Sequence, residues 1–151
     1  MKKAVLGMCA LASVAIVPSQ AGARTAPGTQ GSPFFWQSAS TCFSSTAGIE
    51  NSCTSTQYWQ MPVLWDSATG PNKTILVAGT VSSGGSLSCT YAGFASSGAI
   101  VTEQNFPAFP AGNSQQSITV TSVPAGSFAF VFCAVSPNTS SVIVGLDYFP
   151  Q

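Results

Sequence analysis

The chain has 151 residues, 45% of them hydrophobic and only 5% charged, with four Lys or Arg, four Asp or Glu and no histidine. That balance excludes a basic groove for nucleic acid, and the apolar and aromatic content is too high for a disordered polar chain. Without an imidazole there is no Ser-His-Asp, Cys-His or histidine-zinc site, and no D-x-[DN]-x-[DN]-G calcium loop occurs, so no metal or cofactor is expected beyond a structural ion that loop carbonyls with Asp66 could hold.

Residues 1–23 read as an export signal. Lys2 and Lys3 precede an apolar run from residue 4 to 17, and Ala21-Gly22-Ala23 supplies the small residues of a cleavage site. The run is shorter than the roughly 18–20 residues that span a bilayer, so the protein is expected to be secreted or displayed at the cell surface, with no membrane span. Cleavage after Ala23 leaves Arg24 and Lys73 against Glu50, Asp66, Glu103 and Asp147, a net charge of −2. Cys9 departs with the signal, leaving Cys42, Cys53, Cys89 and Cys133. An even number in an exported chain reads as two disulfides. Three pairings are open; Cys42–Cys53 with Cys89–Cys133 is preferred, because the first closes a short loop and the second joins two strand-like segments. Chain entropy assigns roughly 3 and 4 kcal/mol to the two closures.

Residues 24–32 have no periodicity and are expected to form a flexible lead-in to a single domain over residues 33–151. Phe34-Phe35-Trp36 opens a first segment that runs to Phe43. Residues 54–65 form a half-buried strand with Trp59, Met61, Val63 and Trp65 on one parity, and Pro62 argues for an edge or a bulge. A turn cluster at 67–72 leads into a strand over 73–83, where Gly79 signals a bulge or a close neighbour. Ser82-Ser83-Gly84-Gly85 is short enough for a hairpin, with Leu87, Cys89 and Tyr91 on one face of the returning strand. After a short strand over 99–104, residues 105–113 (N-F-P-A-F-P-A-G-N) cannot be regular. Residues 114–123 alternate cleanly, and residues 141–149 close the domain with Val142, Val144, Leu146 and Tyr148 on one face and Asp147 on the other.

The stretch 126–135, G-S-F-A-F-V-F-C-A-V, is apolar on both parities and reads as a central strand. Either Cys133 points inward and Phe128, Phe130 and Phe132 form an outward apolar interface, covered by the 34–36 segment or by another subunit, or the phenylalanines fill the core and the disulfide lies outside. Burial of large aromatics favours the second arrangement. The whole is an all-β chain, a small antiparallel β-sandwich or jelly roll of seven or eight strands with two disulfides.

Chemistry is sparse. Lys73 lacks an S-x-x-K context and reads as a solvated turn lysine. Glycosidase chemistry needs two carboxylates about 5 or 6.5–9.5 Å apart, and nothing in the sequence pairs Glu50, Asp66, Glu103 or Asp147. The sequons Asn72-Lys73-Thr74 and Asn138-Thr139-Ser140 read as turn chemistry. The aromatic signal is stronger: Phe34, Phe35, Trp36, Tyr58, Trp59, Phe106 and Phe109 fall near strand ends or in loops, where rings with polar neighbours bind sugars or proteins. The expectation is therefore a non-enzymatic structural or interaction domain that binds protein, including by self-assembly, through an apolar face or an open strand edge. The alternatives are a carbohydrate-binding module built on those aromatics, and a hydrolase with an unrecognised carboxylate pair.

Overall fold

The computed structural model describes residues 24–34, 40–45, 48–63, 73–120 and 128–149. The export signal, Phe35, Trp36, Trp65, Asp66 and Asn72 lie outside the described residues. The elements in chain order are β1 (Arg24–Pro27), β2 (Ser32–Pro33), β3 (Phe43–Ser44), β4 (Ile49–Asn51), β5 (Gln57–Val63), β6 (Lys73–Val81), β7 (Leu87–Phe94), β8 (Ile100–Asn105), β9 (Gly112–Val120), β10 (Phe128–Val135) and β11 (Ser141–Phe149). They form two sheets with every pairing antiparallel. One runs β3-β4-β11-β6-β9, with β1 also on β11; the other runs β2-β5-β10-β7-β8.

The strand count exceeds the seven or eight expected, because β1 to β4 are two to four residues long and too short to carry a legible alternation. Residues 24–32, expected as a flexible lead-in, instead hold β1, a 3-10 turn at Gly28–Gln30 and the first residue of β2. The indole Nε1 of Trp59 donates to Gly28 O at 2.9 Å, which fastens that segment to the core.

From β5 onward the described strands change sheet at every connection but one, the β7–β8 hairpin through Gly98 at φ +84°. The 82–85 turn, expected to close a hairpin, carries the chain from β6 in one sheet to β7 in the other. The 136–140 turn does the same between β10 and β11, with Asn138 and Thr139 at positive φ, the turn role expected of that sequon.

The inward faces meet in one core that includes Trp59, Met61, Ile75, Val77, Leu87, Tyr91, Val131, Ile143 and Leu146. Fully buried Asn51 serves its margin. Its Nδ2 donates to Ser55 O and Val135 O, and its Oδ1 accepts from Cys53 N. Lys73, expected in solvent, is 2% exposed at the start of β6, because the alternation of that strand turns residues 73, 75 and 77 to the inside.

A bulge in β11 between Ile143 and Gly145 corrects the expected alternation there. The extra residue leaves Val144 exposed and turns Ile143 and Leu146 inward. Gly79 lies opposite Ile143, and a Cβ on it would meet Leu87 Cδ2 at 2.5 Å and the carbonyl of Val142 at 3.0 Å, so the glycine lets the two sheets approach.

Candidate functional site

β10 lies between β5 and β7, and its register sets Cys133 directly opposite Cys89. The two are bonded, as are Cys42 and Cys53. Cys133 is 0% exposed and joins the core. Alternation then sends Phe128, Phe130 and Phe132 to the outer face of the five-stranded sheet, which corrects the preference for burying them. Cross-strand neighbours settle the matter: the inward parity of β7 is Leu87, Cys89 and Tyr91, while Ser88 and Thr90 face out, so a bridge to Cys89 must be internal.

Outward, Phe128 lies opposite Phe94, Phe130 opposite Ala92 and Phe132 opposite Thr90. One strand further, Ile100, Glu103 and Asn105 stand opposite Phe94, Ala92 and Thr90. The rings form a continuous cluster. Phe94 and Phe128 stack at 5.3 Å between centroids, Phe130 and Phe132 are 5.8 Å apart, and Phe34 meets Phe132 edge-on at 4.4 Å. Phe34 reaches it because its backbone N–H donates to Tyr58 O at 2.8 Å, which continues the pairing of β2 with β5. The cluster leaves Ala92 only 5% exposed on a sheet surface, yet Phe128 keeps 43% of its own surface in solvent.

Beside the cluster is a groove of about 350 Å³ lined by Phe34, Phe94, Phe132, Ile100, Thr90 and Glu103. At its rim the Thr90 hydroxyl donates to Asn105 Oδ1 at 2.7 Å, which uses only the carbonyl side of that amide. Apolar walls with a few polar groups are the make-up of small-ligand sites, whose volumes run from roughly 300 to 1,000 Å³. A hollow of about 440 Å³ on the other sheet, around Thr80, Asn113, Gln115 and Val144, has no aromatic ring in its lining.

The remaining candidate aromatics divide. Tyr58 is exposed on the phenylalanine-bearing face, opposite Ala134, whereas Trp59 points inward. Phe106 and Phe109, expected as exposed loop rings, are 7% and 8% exposed and belong to the core. The connection that carries them passes from β8 in one sheet to β9 in the other, so its apolar side chains close the end of the sandwich, and Phe106 N donates to Cys89 O. Sequence reasoning missed Phe94 and Glu103. The signal for Phe94 was its shared parity with Ser88 and Thr90, both polar and therefore outward.

Among the described carboxylates, Glu103 is on this face, whereas Glu50 and Asp147 belong to the six-stranded sheet. No group of three or more His, Cys, Asp or Glu that could hold a metal ion occurs among the described residues. Among those residues, no helix is long and apolar enough to cross a membrane.

No family model and no curated protein matches the chain. Solved structures with a similar course include the enzymatically active domain of tailspike protein 4 of bacteriophage CBA120 (11% identity, 68% of this chain and 14% of that one, TM-score 0.45). An isomalto-dextranase of Arthrobacter globiformis T6 in complex with panose is similar at 10% identity over 87% of this chain and 24% of that one (TM-score 0.47). The carbohydrate-binding module TmCBM61 in complex with β-1,4-galactotriose is similar at 8% identity over 87% and 90% (TM-score 0.45). The chain thus spans less than a quarter of either enzyme structure. The expectation that the protein is not an enzyme is corrected by these neighbours: two of the three are titled as enzymes, so catalysis is not excluded.

Proposed function

We propose that this chain is an exported carbohydrate-binding domain whose binding face is the outer surface of the five-stranded sheet. The observation that carries the proposal is the groove in which Phe34, Phe94 and Phe132 stand beside Thr90 and Glu103. A sugar ring offers apolar C–H surface together with a rim of hydroxyls. Aromatic rings with hydrogen-bonding groups at their edge match both at once. Phe94 and Phe132 sit on strands pinned by the Cys89–Cys133 bridge, so little ordering of those rings remains to oppose binding. Two disulfides also suit an oxidising compartment, in keeping with cleavage of the signal after Ala23.

The test is electrophoretic mobility of the native protein in gels containing soluble glucan, mannan, galactan or xylan. At least one polysaccharide is expected to retard the wild type and not Phe132→Ala. Unretarded migration in all four, or equal retardation of the variant, overturns the proposal.

A second reading, association between copies, draws on the exposed Ile100, Val101 and Phe128 along the outer strand β8 and its neighbours. Sedimentation of the free protein separates the two. A monomer whose mobility responds to polysaccharide supports the sugar face, and a dimer that dissociates on Phe128→Ser supports association.

A further inference from the structure

The groove also carries information on what kind of sugar it takes. Its three rings are not coplanar: Phe34 stands at 62° to Phe132, and Phe94 at 80°. They form a corner. A flat platform suits the face of an extended glycan, whereas a corner of ring faces surrounds one compact group. The same lining holds an anion, Glu103, its one ionisable group.

The charge distribution sharpens this. From residue 24 onward the sequence contains two cations, Arg24 and Lys73. Arg24 is on β1 and Lys73 is the buried first residue of β6, and both strands belong to the opposite sheet. Among the described side chains, no Lys or Arg therefore stands on the phenylalanine face. A uronate or sulfated glycan would be repelled by the Glu103 carboxylate, and a neutral glycan would meet it with hydroxyl hydrogen bonds alone, weaker than charge-assisted ones. An ammonium group fits both elements, since ring faces attract cations through the quadrupole and a carboxylate completes the pair with a charge-assisted hydrogen bond.

Resting on the carbohydrate reading, we infer that the groove of Phe34, Phe94, Phe132 and Glu103 selects glycans that carry free amino groups, with one sugar ammonium seated in the aromatic corner against Glu103. The remaining hydroxyls fall to Thr90 and Asn105 at the rim.

Calorimetric titration with glucosamine oligomers and with N-acetylglucosamine oligomers of the same length tests this. At low ionic strength the deacetylated oligomer is expected to bind at least tenfold more tightly. Glu103→Gln, a near-isosteric change at an exposed position, is expected to collapse that ratio to below twofold. Raising the salt from 20 mM to about 0.5 M, where screening shortens the reach of charges, should narrow it in the wild type without any mutation. If both oligomers bind equally, or the preference survives in Glu103→Gln, the inference falls. Should binding of the N-acetylated oligomer then still be lost in Phe132→Ala, the carbohydrate reading stands without it. Binding of neither oligomer, together with unretarded mobility in the four polysaccharides, removes both.

Discussion

The two outward faces of this sandwich are built from strands of similar length and the same alternation, and they end in opposite chemistry. On the six-stranded sheet the outward positions of β6 and β9 are Thr74, Leu76, Ala78 and Thr80 beside Gln115, Ser117 and Thr119, a mixed set without an aromatic ring. On the five-stranded sheet the corresponding positions of β7 and β10 hold Phe94, Phe128, Phe130 and Phe132. A fold needs one apolar face per sheet. The second apolar face is surplus to folding, and contiguous apolar surface of that kind marks a site of interaction.

Several substitutions would break or sharpen the contrast. The largest effect is expected from the double replacement Cys89→Ser with Cys133→Ser, which unlinks the strands behind the phenylalanine face. Its sequence separation of 44 corresponds to a loss of roughly 4 kcal/mol in denaturant unfolding. Next, Phe132→Ala removes the ring that touches both Phe34 and Phe94. Binding is expected to weaken by about 2 kcal/mol, the scale of a central anchor residue, measured by calorimetry on folded protein. Gly79→Ala acts from the other sheet, where the new methyl would crowd Leu87 and the Val142 carbonyl. A destabilisation of about 1–3 kcal/mol is expected, with glycan affinity unchanged in the folded fraction. Trp59→Phe deletes the indole donor to Gly28 O, but that carbonyl still accepts from Gly31 N at 3.3 Å, so the loss of one hydrogen bond should cost about 1 kcal/mol. Thr119→Ala, on the polar face, should move neither stability nor binding by more than about 0.5 kcal/mol.

Much of the architecture was legible because it depends on periods and counts. An even set of cysteines behind an export-like leader indicates two disulfides, and clean alternation in residues 73–81 and 114–120 reads directly as half-buried strand. What stayed hidden depends on which strand neighbours which. The orientation of β10 is ambiguous taken alone, since both of its parities are apolar. It becomes determined only when Cys133 is tied to Cys89, whose flanking Ser88 and Thr90 must face solvent. Phe106 and Phe109 looked exposed because prolines break their segment. Their burial follows from a crossing between sheets that no local pattern announces. In β11 the single extra residue at Val144 reverses the expected faces before the bulge, burying Ile143 in place of Val144, while Leu146 stays inward as expected, because strand alternation has no tolerance for an insertion. Of the groove, Phe34 and Phe132 were singled out from sequence, whereas Phe94 and Glu103 join it only through the pairing of β7 with β8 and β10.

The most direct test of the central claim follows backbone amide resonances while a glucosamine oligomer, or an oligomer of whichever polysaccharide retards the native protein, is titrated in. Shifts confined to Thr90, Ala92, Phe94, Glu103 and Phe132, with Thr74, Thr80 and Thr119 unmoved, are the expected result. Shifts centred on β6 and β9, or none at saturating oligomer, would contradict it.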